Sequence, residues 1–191
     1  MPEALKQYRP PQPTLAEKKI RAAFFVYPTA FQSPGGGEIL LLKTKQYLER
    51  EDVHVKLFDM WSDKLNQFDL LHIFGSVKDC LPIIQDAQKL GIKIVLSTIC
   101  WYSWRAAWGI YSDPYQRFLS LERHAAKTFF PFFPSMRKTM MQLSDLLCPN
   151  SETEADQLKR YFQIPEEKIR VIPNGVDPRS EEHTSELQSQ R

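Results

Sequence analysis

Five consecutive residues, Pro34-Gly35-Gly36-Gly37-Glu38, combine the properties needed to hold a phosphate. Glycine has no Cβ, so its backbone N–H can approach an anion closely, and the N–H groups that open a following helix add partial positive charge. The chemistry would be capture of a phosphoryl or diphosphate group, with Gly35, Gly36, Gly37 and the Glu38 backbone as ligands. The same triplet also suits a tight connection whose glycines tolerate positive φ, so other segments must decide between the two. The Glu38 side chain, in the first helical turn, is expected to cap the helix or complement its dipole rather than act as a base.

Such a cradle needs a strand before it and a helix after it. The pattern predicts a strand over 21–27 and a helix over 38–50, with Leu40, Leu41, Tyr47 and Leu48 as its apolar stripe. Further runs rich in Val, Ile, Leu and Phe, over 53–58, 70–74, 92–96, 146–148 and 169–172, suit parallel strands buried on both faces. Ser151 and Glu154 have the spacing of a capping box, opening a helix whose inner face is Ala155, Leu158 and Phe162. Asp113 before Pro114 marks another helix start, leading to Phe118, Leu121, Ala125 and Phe129 on one face. Alternation of strand and helix predicts an α/β fold, a Rossmann-like doubly wound parallel sheet with ligands at the carboxyl ends of its strands.

The final segment, 179–191, reads as the in-frame translation of a common DNA-library adapter, so it is expected to be a non-native tail without chemistry. Removing Arg179 and Arg191 from 25 basic residues, and Glu181, Glu182 and Glu186 from 23 acidic ones, leaves 23 against 20, a net charge of +3 in place of +2. That mild balance gives no reason to expect a nucleic-acid partner. Residues 1–19, with Pro2, Pro10, Pro11 and Pro13 and no apolar run, read as a flexible lead-in and neither a secretory signal nor a membrane span. Residues 20–178, in a chain that is 42% hydrophobic, suffice for one domain with a sizeable core. Cys80, Cys100 and Cys148 are odd in number and widely spaced, which fits reduced cytosolic thiols.

The chain resembles glycosyltransferase family 4, retaining enzymes of the GT-B fold. The resemblance rests on four segments in order: Tyr27-Pro28-Thr29-Ala30-Phe31-Gln32-Ser33-Pro34-Gly35-Gly36-Gly37-Glu38, Phe68-Asp69-Leu70-Leu71-His72, Cys148-Pro149-Asn150-Ser151-Glu152, and Val171-Ile172-Pro173-Asn174-Gly175-Val176-Asp177. It implies an acceptor-side, N-terminal half of such an enzyme, with Asn174, Gly175 and Asp177 at the hinge into a donor-binding domain absent from this chain. By itself the half would be inactive. It also implies transfer from a nucleotide-sugar donor with retained configuration and no metal, the donor diphosphate facing Gly36 and Gly37. The residues agree in offering no Asp-x-Asp pair and no His or Cys cluster. His72 is assigned a structural role. The segment Thr98-Ile99-Cys100-Trp101 departs from relatives that place a histidine after the fourth strand, so Thr98 and Cys100 are candidates for the donor-sugar loop and no catalytic residue is named.

Between Trp101 and Phe133 aromatic side chains crowd together with Arg105, Arg117 and Arg123. Trp101, Trp104, Arg105 and Trp108 are candidates for contact with a saccharide or lipid-linked acceptor and for peripheral membrane contact, although about half the aromatics of this stretch fit a core. The resemblance implies a setting in cell-surface polysaccharide or lipopolysaccharide synthesis at the cytoplasmic face of the membrane. Two other classes compete: a dinucleotide-binding oxidoreductase or epimerase with Asp59 on a ribose, and a non-catalytic binding module. The dinucleotide fingerprint fails at Leu40, where its third glycine would stand.

Overall fold

Strand β1, Arg21–Phe25, is buried from Ala22 onward on both of its faces, as its run of small and aromatic residues requires. In the computed structural model, which describes residues 20–32, 34–99, 113–129 and 135–175, it sits inside a five-stranded parallel sheet. The partners are β2, His54–Leu57, β3, Leu70–Phe74, β4, Lys93–Ser97, and β5, Leu146–Leu147. Their order is β2-β1-β3-β4-β5, with Ala22 opposite both Val55 and Leu70, and Leu71 opposite Ile94. The helices are α1, Gly36–Leu48, α2, Leu81–Lys89, α3, Pro114–Phe129, α4, Met136–Leu143, and α5, Glu152–Phe162. This is the Rossmann-like doubly wound arrangement that the alternation predicts.

Alternate residues of β1 and β3 feed two cores, one on each face of the sheet. On one face Ala23, Phe25, Leu71, Ile73, Ile94 and Leu96 pack with Ile84 and Ala87 of α2, Met140 and Met141 of α4, and Leu158 and Phe162 of α5. On the other, Ala22, Phe24, Val55 and Phe74 pack with Leu41 of α1. The strand starts are tied together by charge: the Arg21 guanidinium donates to both carboxylate oxygens of Asp69, each at 3.2 Å. From β1 the chain runs to β2 on one side and from β3 to β4 on the other, and the crevice between β1 and β3, where these connections part, is where such sheets take ligands. The chain running from β1 into α1 lies at that crevice.

Several sequence expectations need correction. The sixth strand over 169–172 does not form: Ile169 makes an isolated bridge to Leu147, and Arg170 and Ile172 each donate one hydrogen bond, to the Leu147 and Pro149 carbonyls. A two-residue β5 offers too short a template, and Pro173 has no N–H to continue. Tyr47 lies outside the α1 stripe, exposed, with the Arg50 guanidinium 4.9 Å from its ring centre. Phe118 of α3 is exposed rather than inward. Helix α1 begins two residues earlier than its apolar pattern, so Gly36 and Gly37 are its first helical residues and not part of a preceding turn.

Candidate functional site

After β1 the chain makes a 3-10 turn, Ala30–Gln32, and reaches Gly35, which caps α1 in an extended conformation at φ −128°. Positive φ belongs to Gly75 and Gly91, not to Gly35, Gly36 or Gly37. Left-handed backbone therefore does not explain the triplet. Space does: among the described residues nothing lies within 4 Å of where a Cβ on Gly36 would stand, and a Cβ on Gly37 would meet only the Ile99 Cδ1, at 3.5 Å. As first-turn residues, both have N–H groups with no carbonyl one turn back to accept from them. Glu38 is 6% exposed, and its Oε2 accepts from the Gly35 N–H at 2.7 Å. That is the expected cap, and it corrects one assignment. Gly35 spends its N–H on Glu38, so an anion is left with the amides of Gly36, Gly37 and Glu38 itself.

Facing this turn is the exit of β4. Thr98 is 0% exposed and donates its hydroxyl to Glu154 Oε1 at 2.5 Å, so it cannot reach a sugar, contrary to expectation. The Glu154 Oε2 accepts from the Asn150 N–H at 2.9 Å, one residue before the Ser151 amide that a regular capping box would use, while Ser151 Oγ accepts from the Glu154 N–H. One buried carboxylate thus joins β4, the Cys148-Pro149-Asn150 segment and α5. The next residue, Ile99, is exposed at φ 41°, a conformation a β-branched side chain adopts only at a cost of order 1–2 kcal/mol. Sequence reasoning missed Ile99, because nothing in its type signals positive φ.

Below Ile99 a small cleft of about 80 Å³ is lined by Leu40 of α1, His72, Ser97, Asn150 and Asn174. Segments far apart in sequence meet here. His72 Nε2 lies 2.9 Å from Ser97 Oγ, its ring is stacked 4.2 Å from Phe74, and Phe24 meets it edge-on. Burial pushes the His72 pKa down to about 4, so the ring is neutral at ordinary pH and serves as a hydrogen-bonding wall rather than a cation. Cys148 borders the same cleft, and burial raises its thiol to about 11, which makes it inert. Of the hinge candidates, Asn174 and Gly175 are exposed beside the cleft, whereas Asp177 lies outside the described residues. Cys100, Trp101, Trp104, Arg105 and Trp108 lie outside them too.

A larger cleft, about 390 Å³, is lined by Arg21, His54, Lys56 and Lys64 at the amino edge of the sheet. Two of its cations are neutralised, Arg21 by Asp69 and Lys56 by Asp63, and it lies at the end of the sheet away from the glycine turn. Both oxygens of the Asp59 side chain accept within their own loop, from the Trp61 N–H and the Ser62 hydroxyl, so no ribose contact is prepared there. Among the described residues no three His, Cys, Asp or Glu side chains gather as a metal site, and no helix is long and apolar enough to cross a membrane.

Comparison with curated proteins returns no significant match. The family description Glycosyltransferase Family 4 matches residues 57–180, from the end of β2 through β3, β4, the buried Glu154 junction and the segment that holds Asn174. The glycine turn precedes the matched stretch and stands on its geometry alone. With well over half of the chain matched, and its order of strands and helices that of a Rossmann-like half, this protein belongs to glycosyltransferase family 4.

Proposed function

We propose that this glycosyltransferase domain supports transfer from a nucleotide-sugar donor, with the donor diphosphate resting on the amides of Gly36 and Gly37. In such a transfer the anomeric carbon exchanges its bond to the diphosphate for a bond to an acceptor oxygen, and negative charge grows on the departing diphosphate. Preorganised N–H groups and the positive end of α1 stabilise that charge without reorganising. The observation carrying the reading is the open space at Gly36 and Gly37, at the carboxyl rim where the connections from β1 and from β3 part. Glu38 shapes the turn by accepting from the Gly35 N–H.

Retention, a hexosyl donor, a second domain beyond Asn174 and Gly175, and a saccharide or lipid-linked acceptor are parts of the same proposal, supported by family membership. So are polysaccharide assembly at a cytoplasmic membrane face and chemistry without a metal. A titration of the ¹⁵N-labelled chain with UDP, GDP and NAD tests the core of it. UDP or GDP should move the Gly36 and Gly37 amide resonances saturably, and NAD should not. Shifts confined to the amino-edge cleft, or none at the two glycines, would refute the diphosphate assignment.

A further inference from the structure

Strand β2 leaves one of its faces uncovered. Arg21 of β1 stands opposite His54, and Lys56 stands opposite Ala23, which belongs to the core that carries α2, α4 and α5. Paired residues share a face and alternate residues of a strand return to it, so Arg21, His54 and Lys56 lie side by side on that face. No residue of β2 enters the buried core there, among the described residues, and His54 and Lys56 are exposed. The crossover explains the gap. Parallel strands are usually joined by an α-helix. Residues 58–69, between β2 and β3, hold one 3-10 turn, Leu65–Gln67, and no α-helix. That connection leaves open the cleft of about 390 Å³, with Lys64, Asn66 and Gln67 on its wall and the buried Phe68 beside them.

The charged residues of the lining are all basic, Arg21, Lys56 and Lys64. Asp69 and Asp63, which pair with Arg21 and Lys56, are not part of it. Pairing does not exhaust these cations. Arg21 donates to Asp69 from Nε and Nη2, which leaves Nη1 without a partner among the described residues, and the Lys56 ammonium has three N–H groups for one carboxylate. Lys64 makes no ion pair among the described residues. Gln67 Oε1 accepts from the Lys64 N–H at 3.5 Å, so its NH2 remains to donate.

We propose that this amino-edge cleft binds a phosphorylated small anion, with a phosphomonoester or diphosphate group held by Lys64, Lys56 and the Arg21 Nη1. The site is separate from the glycine turn and does not depend on the sugar-transfer reading. Cations already fixed by Asp63 and Asp69 lose little freedom on binding, and a planar guanidinium matches phosphate oxygens. The cleft falls within the size range of small-molecule sites, so it admits more than a bare phosphate. A lysine on an edge strand also keeps sheets from pairing in solution. That role requires neither Arg21 nor Lys64, and no cleft.

Inorganic phosphate, pyrophosphate and glucose 1-phosphate, titrated into the ¹⁵N-labelled chain at constant ionic strength, test the site through the backbone amides of His54, Lys56, Lys64, Asn66 and Gln67. At least one anion should move them saturably. Lys64→Gln should weaken that anion about tenfold and Lys64→Arg should restore most of the affinity, as a charge-assisted hydrogen bond is lost and regained. Lys43→Gln removes the same charge from α1, on the other face of the sheet, and should bind as the parent does. The site is overturned if no anion moves those amides, if Lys64→Gln binds as the parent does, or if Lys43→Gln weakens binding equally. Phosphatidic acid vesicles that move the amides where the three soluble anions do not would also overturn it, in favour of a membrane surface. Gly36 and Gly37 report the other end of the sheet in the same spectra. Shifts there with none at the cleft would sink the amino-edge site alone, and cleft shifts with none at the glycines on adding UDP or GDP would sink the diphosphate reading alone.

Discussion

Gly36 and Gly37 occupy positions that nothing in the described structure reserves for glycine, and that excess of room is the residue-scale argument for a ligand. Alanine at either position should leave thermal stability unchanged or raise it by up to about 1 kcal/mol, because glycine is the poorer helix former. Binding of UDP or GDP should fall about tenfold, as each methyl crowds an amide the anion needs. Differential scanning calorimetry beside a nucleotide titration separates the two effects; a parallel loss of stability and binding would show the glycines to be structural. His72 gives a second prediction. Its unfolded pKa near 6.5 drops to about 4 in the fold, so the unfolded chain takes up a proton that the native ring refuses. The stability from this residue is complete above about pH 6.5 and lost as pH falls from there through about pH 4, on the order of 1–2 kcal/mol by about pH 5. Urea unfolding at both pH values should show the loss in the parent, and a flatter profile in His72→Phe.

At the scale of elements, Glu154 does more than start a helix. It accepts from Thr98 on the β4 exit and from the Asn150 N–H, while its own N–H is taken by Ser151. Glu154→Ala should cost about 2–4 kcal/mol in chemical denaturation, since the buried Thr98 hydroxyl and the half-buried Asn150 N–H lose their acceptor together. Thr98→Val should couple to it by more than about 0.5 kcal/mol in a double-mutant cycle. Additive effects would mean the contact carries no energy of its own. The Ser151 and Asp113 starts were legible in sequence because a cap needs only neighbours: Asp113 Oδ2 accepts from the Gln116 N–H at 2.9 Å. The stripe on α1 was misread at Tyr47 because Ile39, Leu40, Leu41 and Leu42 make the helix apolar nearly all round, and only the sheet selects which of them is buried. Helices α2 and α4 are short, and their start signals are single residues, Pro82 in the first turn of α2 and Ser135, whose Oγ accepts from the Lys138 N–H at 3.2 Å.

Across the whole molecule, β3 is the centre, buried between β1 and β4 and feeding both cores. Leu71→Ala should therefore cost about 2–5 kcal/mol in equilibrium denaturation. Amide hydrogen exchange should be slowest in β1, β3 and β4 and faster in the edge strand β2 and the two-residue β5. Faster exchange in β3 than in β2 would contradict this ordering of stability. The same layout explains why the candidate site lies between α1, the β4 exit and the segment after β5 that holds Asn174: these are the places where a parallel sheet releases its chain at one rim.

What the amino-acid order decided alone was local: where the five parallel strands run, where glycine frees a backbone amide, which hydroxyl or carboxylate starts a helix; the run over 169–172 needed the sheet to decide against it. These depend on neighbours within a turn or two. Strand order, the burial of Thr98, the neutral state of His72 and the left-handed Ile99 were decided by tertiary structure. Thr98 meets Glu154 across 56 residues and His72 meets Ser97 across 25, and no periodicity records a partner at that distance. Desolvation and steric fit are properties of the assembled sheet, so the chemistry of the cleft came into being only when its walls closed.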